Sequence, residues 1–193
     1  MTKPNFETRG GLPIELRAKK GETRVSGHAA VFDEWADIGG WFEERVVPGA
    51  FDNVLEDDCV FLIEHKGLPL ARTRSGTLSL SVDARGLFAE TSLIDADPDV
   101  ARILPKMSRG DLDKMSYSFR VGREEWDETG EIPKRTILEV SSLIDVSIVT
   151  YPAFEGTDIG LRSLADHRAG LIAPMNARQA TALDLRLRAL ALT

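Results

Sequence analysis

Apolar and polar residues alternate with a period of two along much of the chain, which predicts β-strands. Leu78, Leu80 and Val82 share one side of the segment 77–83 (TLSLSVD). Met115, Tyr117, Phe119 and Val121 share one side of 114–125, with Ser116, Ser118 and Arg120 on the other. Segments 13–17 and 23–32 also read as extended, separated by a Lys-Lys-Gly turn. The compact apolar run 59–65 (CVFLIEH) predicts a further strand, and 87–93 a hairpin partner that returns from a turn at 83–86. Segment 136–151 is rich in β-branched residues and predicts one long strand or two. Tyr151-Pro152 ends it, because proline removes a ladder donor.

Helical signals are fewer. A short helix is expected over 49–56, behind Pro48. Asp97 followed by Pro98 is an N-cap and first-turn pair. The helix it opens should reach Arg109 and stop at Gly110, with Pro105 free to kink it. Leu183, Leu187 and Leu190 lie at i, i+4 and i+7, which predicts a helix over 176–192. About seven strands with two or three short helices predict a mainly β fold, a barrel or a sandwich. Strands and helices do not alternate regularly, which argues against a doubly wound parallel sheet. No glycine-rich phosphate loop is present.

Composition narrows this picture. A chain of 193 residues suggests one domain plus an appendage. An apolar share of 42% supports a real core. No apolar run approaches the ~20 residues that span a bilayer. MTKPNFETRG has no apolar stretch after a basic start, so no secretory signal is expected. The single cysteine, Cys59, allows neither an internal disulfide nor a Cys-based zinc site. A soluble protein of a reducing compartment is the expectation. The net charge of −7 disfavours nucleic acid as the main partner, because phosphate neutralisation needs clustered cations. That charge is uneven. Five arginines face two aspartates from Arg162 onward, whereas 19 basic residues face 29 acidic ones before it. The predicted division is a domain over 1–163 and a cationic helical tail over 164–193.

Candidate chemistry rests on few residues. The histidines are His28, His65 and His167, with no His-Glu-x-x-His pattern, so no metal site is expected. On the 59–65 strand, His65 should share the core side with Phe61 and Ile63. It is either a buried, hydrogen-bonded structural histidine or a base at a strand end. Ser116 is either a nucleophile or a small packing residue, since a serine hydroxyl needs an adjacent base. Asp145, in an apolar strand, needs a partner, and Glu139 on the same nominal face competes with it. Serine, histidine and carboxylate are the components of an acyl-transfer triad. No G-x-S-x-G elbow surrounds any of the twelve serines.

Five pieces in order carry a resemblance: GHAAVFDEWADIGGWFEERVVPGAFD, LIEHKGLPLARTRSGTLSL, GLFAETSL, RGDLDKMSYSFRV and ILEVSSLIDVSIVTYPAFEGTDIGLRS. Together they resemble the tailed-phage prohead maturation proteases, which belong with the herpesvirus assemblins. The resemblance covers roughly residues 12–163. It implies a serine endopeptidase on an assemblin-like closed β-barrel with peripheral helices, and no cofactor. The family histidine falls on His65 and the nucleophile on Ser116. The acidic third member falls on Asp145, with Glu139 as the alternative. An oxyanion hole is expected in the loop after Tyr151. The implied partners are the scaffold, or the scaffold-like segment of the major capsid protein, and the protease itself. The implied place is an assembling prohead in the bacterial cytoplasm. A homodimer stays open.

The remaining features divide between roles. Arg72 and Arg74, in RTRSG, fit a basic substrate-contact loop or a solvated turn equally. Ser118 is a further candidate for substrate contact. Trp35 and Trp41 should pack the barrel, His28 should be structural and Cys59 should be buried packing.

Overall fold

The computed structural model describes residues 6–19, 21–151 and 163–170. Eleven strands and one long helix follow in the order β1 (Glu7–Pro13), β2 (Glu15–Lys19), β3 (Glu22–Val31), β4 (Ala36–Ile38), β5 (Phe42–Val46), β6 (Val60–Ile63), β7 (Lys66–Arg72), β8 (Leu78–Val82), β9 (Gly86–Ile94), α1 (Pro98–Arg109), β10 (Lys114–Asp127) and β11 (Lys134–Val149). A short helix follows over 163–170.

The fold is mainly β, as the alternation predicts, but no sheet closes into a barrel. A seven-stranded sheet runs β1-β10-β11-β5-β4, with β6 also paired to β11 and β7 paired to β6. A four-stranded sheet runs β2-β3-β9-β8. Closure needs every strand hydrogen-bonded on both sides. Here β1 and β4 end the first path and β2 and β8 end the second, so both sheets stay open. A lone bridge between Phe32 and Val46 touches one sheet to the other without extending into a ladder.

The core lies between the sheets. Val25, Leu87, Ala89 and Leu93 face Met115, Tyr117, Phe119, Val146 and Ile148, and Val100, Ile103 and Met107 of α1 add to the same cluster. The helix has its expected ends. The Asp97 side chain accepts from Asp99 N–H, and Gly110 takes the left-handed conformation that closes the last turn.

Three local expectations are corrected. Residues 49–56 form successive turns instead of a helix, with i→i+3 bonds from Ala50 to Val47, Asp52 to Gly49 and Val54 to Phe51. Gly49, at φ 89°, starts that departure. Trp35 and Trp41 are 40% and 43% exposed, so they do not fill the interior. The Trp35 ring carries the Arg45 and Lys134 cations instead. β1 comes before any strand the alternation marks. The segment predicted as one strand or two, 136–151, falls on the single strand β11. Cys59 is buried as expected. His28 makes an ordinary structural contact, Nε2 to Asp83 Oδ2 at 2.9 Å.

The helix over 163–170 buries Leu164 with Ile38 and Phe42, against the half-buried Trp126. The expected helix over 176–192 lies outside the described residues. Among the described residues, no helix is long and apolar enough to cross a membrane.

Candidate active site

Two central strands build the floor of the site. β10 and β11 are antiparallel, with Ser116 opposite Ser147 and Ser118 opposite Asp145. Side chains alternate across a strand. Met115, Tyr117, Val146 and Ile148 therefore enter the core, while Ser116, Ser118, Asp145 and Ser147 share the other face. All four polar residues are buried, Asp145 at 5% exposure and the serines at 0%.

His65 comes to this face from a turn. Sequence reasoning put it on a strand, on the core side with Phe61 and Ile63. Instead β6 ends at Ile63, which pairs with Lys66, and Glu64-His65 form a two-residue hairpin loop. Both loop residues have positive φ, 51° and 55°. That is the type I′ pattern, which favours Asn-Gly and costs a side-chain-bearing residue about 1–2 kcal/mol. The surroundings hold the turn in place. β6 runs parallel to β11, and Glu64 N–H donates to Ile148 O at 2.9 Å. Thr150 N–H donates to Glu64 Oε1 at 2.8 Å. Glu64 therefore fixes the turn that aims His65. Strand-pattern reasoning missed it because its composition gives no turn signal.

The imidazole bridges the other two groups. His65 Nε2 lies 2.7 Å from Ser116 Oγ, and Nδ1 lies 2.6 Å from Asp145 Oδ1. An ionised carboxylate only accepts, so it selects the Nδ1–H tautomer and leaves Nε2 free to accept the serine proton. Burial alone would raise the Asp145 carboxyl, but the hydrogen bond and charge of His65, with bonds from Ser118 and Ser147, hold it below the usual carboxylate range. Ser116 Oγ also lies 2.9 Å from the Arg9 carbonyl on β1, so its single proton has two acceptors within reach.

The other candidates fall elsewhere. Glu139 stands opposite Arg123, six residues before Asp145 on β11. Ser118 Oγ faces His65 Nδ1 at 3.0 Å and is buried, so the structure brings it to the imidazole. Arg72 ends β7, roughly 20 Å along the strand from the His65 turn. It pairs there with Asp58, Nε to Oδ1 at 2.6 Å. Arg74 sits in the turn beyond it. His167 stacks on Trp126, ring centroids 5.0 Å apart, on the 163–170 helix. The loop expected to form an oxyanion hole, beyond Tyr151, lies outside the described residues. Among the described residues no cluster of His, Cys, Asp and Glu could hold a metal ion.

Beside the site, β1 is clamped by buried charges. Arg9 Nε donates to Glu44 Oε1 at 2.6 Å, and Arg135 Nη1 donates to Glu44 Oε2 at 2.9 Å and to Glu7 Oε2 at 2.7 Å. Arg9 is the residue before Gly10, which faces Ser116 across the strand pair.

A prohead protease of Enterobacteria phage HK97 is 27% identical over 147 residues, 72% of this chain. The aligned region spans 60% of that relative's length. No solved structure matches the chain. The family described as caudovirus prohead serine protease matches residues 12–169, a span that includes His65, Ser116 and Asp145, and the chain belongs to that family.

Proposed function

We propose that the chain is a serine endopeptidase of prohead maturation, with Ser116 as nucleophile, His65 as general base and acid, and Asp145 as the orienting carboxylate. One observation carries this reading: a single imidazole hydrogen-bonded on one side to a serine hydroxyl and on the other to a buried carboxylate. His65 Nε2 takes the hydroxyl proton as Ser116 Oγ attacks a peptide carbonyl. The imidazolium then gives that proton to the leaving amine. Asp145 keeps the proton on Nδ1 and stabilises the cation that forms at each step. Water repeats the sequence on the acyl-enzyme and frees the serine.

The substrates under this reading are the scaffold, or the scaffold-like segment of the major capsid protein, and the protease itself. Cleavage takes place inside the assembling prohead in the bacterial host. The acidic charge of the chain fits recruitment through protein contacts rather than through DNA.

The test is co-expression with the cognate major capsid protein, followed by mass analysis of the capsid chains. Wild type should shorten the capsid protein or its scaffold. Ser116→Ala and His65→Ala should leave both at full length. Normal processing by either variant would overturn the mechanism. Full-length chains with all three proteins would favour a catalytically inactive assembly protein on the same fold.

A further inference from the structure

Asp145 Oδ1 accepts more than the histidine. The Ser147 hydroxyl donates to the same oxygen at 2.7 Å, and both groups are buried. Ser147 lies two residues after Asp145 on β11, on the same face, directly opposite Ser116 on β10. Its hydroxyl therefore lies on the same buried face as Ser116 and the carboxylate. A buried carboxylate has little water to solvate it, so each donor inside the site replaces part of its hydration.

Building on the endopeptidase reading, we infer that Ser147 is a positioning residue: its hydroxyl fixes the Asp145 carboxylate that in turn orients His65. Three features support this. The hydroxyl has a single proton, and an ionised carboxylate offers only lone pairs, so the direction of the bond is set. The strand holds the serine backbone on both sides, Ser147 pairing with Ser116 and with Leu62 of β6, so the side chain has few places to turn. The bond also ends on Oδ1, the oxygen that receives the His65 proton, so losing it releases that oxygen and not its neighbour. Ser118 stands opposite Asp145 on the facing strand, with its hydroxyl 3.0 Å from His65 Nδ1.

The chemistry predicts a direction. Without the Ser147 donor, the Asp145 carboxylate is less stabilised and more basic. It rotates more freely and holds protons in the site more tightly. The reaction needs the carboxylate ionised and the imidazole free to accept. The acid limb of the pH profile should therefore move to higher pH, and the rate at its plateau should fall.

A fluorophosphonate probe tests this without knowledge of the peptide substrate, because it reports how readily Ser116 attacks. The full chain is labelled across pH 5 to 9, and the maximal labelling rate is separated from the probe's affinity. Ser147→Ala should lose about ten- to a hundredfold in maximal rate, with affinity little changed and the acid limb displaced upward. Ser147→Thr, which keeps the hydroxyl, should recover most of the rate, whereas Ser147→Val should not. Thermal unfolding of each variant separates this from a general loss of folded protein. A Ser147→Ala protein with the wild-type rate and profile would overturn the inference while leaving the endopeptidase reading intact. Equal recovery by Val and Thr would reduce Ser147 to a packing role and overturn it too. Labelling that survives in Ser116→Ala, or is absent from wild type, would instead overturn the endopeptidase reading on which the inference rests.

Discussion

Gly10 and Ser116 stand opposite each other across β1 and β10, so close that a Cβ added at Gly10 would meet Ser116 Cα at 2.5 Å and Met115 O at 2.4 Å. Those are backbone atoms and cannot swing aside. The register of β1 shifts just here, between Gly10 and Leu12, with Gly11 at φ 124°. The glycine bulge lets β1 pass close to β10 and bring the Arg9 carbonyl within 2.9 Å of Ser116 Oγ. Gly10→Ala should cost about 1–3 kcal/mol of stability, the usual range for overpacking, and should also displace Ser116. Gly86→Ala is the control. Its Cβ would meet Ala30 O at 2.0 Å in the other sheet, so it should lower stability without displacing Ser116 directly. Urea unfolding combined with capsid-protein processing separates the two. Equal activity per folded molecule for both variants would show that the Gly10 approach does not position Ser116.

This bulge also marks where the sequence stops being legible. The strands β8 and β10 follow from alternation, β9 from the turn that returns it as a hairpin partner, and β11 from its β-branched residues. β1 reads ETRGGLP, and its burial comes from Arg9 and Glu7 in an ion network rather than from apolar residues, so no period of two reveals it. His65 and Ser116 could be named because their flanking residues match a family, and the side of β10 that carries Ser116 follows from alternation, but the side His65 takes does not. Two consecutive left-handed residues turned His65 away from the core. Glu and His are not the residues a type I′ turn selects, and their conformation is set by bonds to Ile148 and Thr150, more than 80 positions away. Tertiary context decided the turn, and local propensity could not report it.

The ion network predicts a loss of stability in acid. Burial pushes the Glu7 carboxyl up, but hydrogen bonds and charges from Arg135 and Arg9 outweigh it and bring the pKa from 4.5 down to about 2. A group depressed on folding stabilises the protein above its unfolded pKa, and that contribution fades as pH falls through the folded value. The urea midpoint should therefore drop between about pH 5 and pH 2. Glu7→Gln should remove about 3–5 kcal/mol near neutral pH, because Arg135 and Arg9 keep their buried charges with a partner missing. It should also flatten the dependence in acid. A midpoint with the wild-type slope in Glu7→Gln would assign the acid sensitivity to other carboxylates.

Cys59 should be inert while the protein is folded. Burial pushes its thiol up to about 12, and the negative charge of Asp145 adds to the rise. Only the thiolate is a nucleophile, so at pH 8 roughly one molecule in ten thousand would carry it. An aromatic disulfide reagent should react with native protein orders of magnitude more slowly than with protein in urea. Fast stoichiometric reaction of the native chain would show that the segment leading into β6 opens locally far more often than the burial of Cys59 implies.

The carboxylate assignment gives the sharpest contrast, because two acids on one strand were open from sequence. Asp145 Oδ1 sits 2.6 Å from His65 Nδ1, whereas Glu139 faces Arg123 further up β11. Asp145→Asn keeps the volume but offers an amide that can present its N–H₂ to the ring. That favours the tautomer with the proton on Nε2, which cannot accept from Ser116. Capsid-protein processing should fall by about a thousandfold or more, on the scale seen when an orienting aspartate is amidated in a serine triad. Glu139→Gln should process normally. Asp145→Asn should also let the Cys59 thiol titrate lower, since the charge that raises it is gone. A cooperative thermal unfolding transition close to that of wild type would show that the side chain was replaced in a folded protein. Normal processing by Asp145→Asn, with activity lost instead in Glu139→Gln, would transfer the orienting role to the other acid.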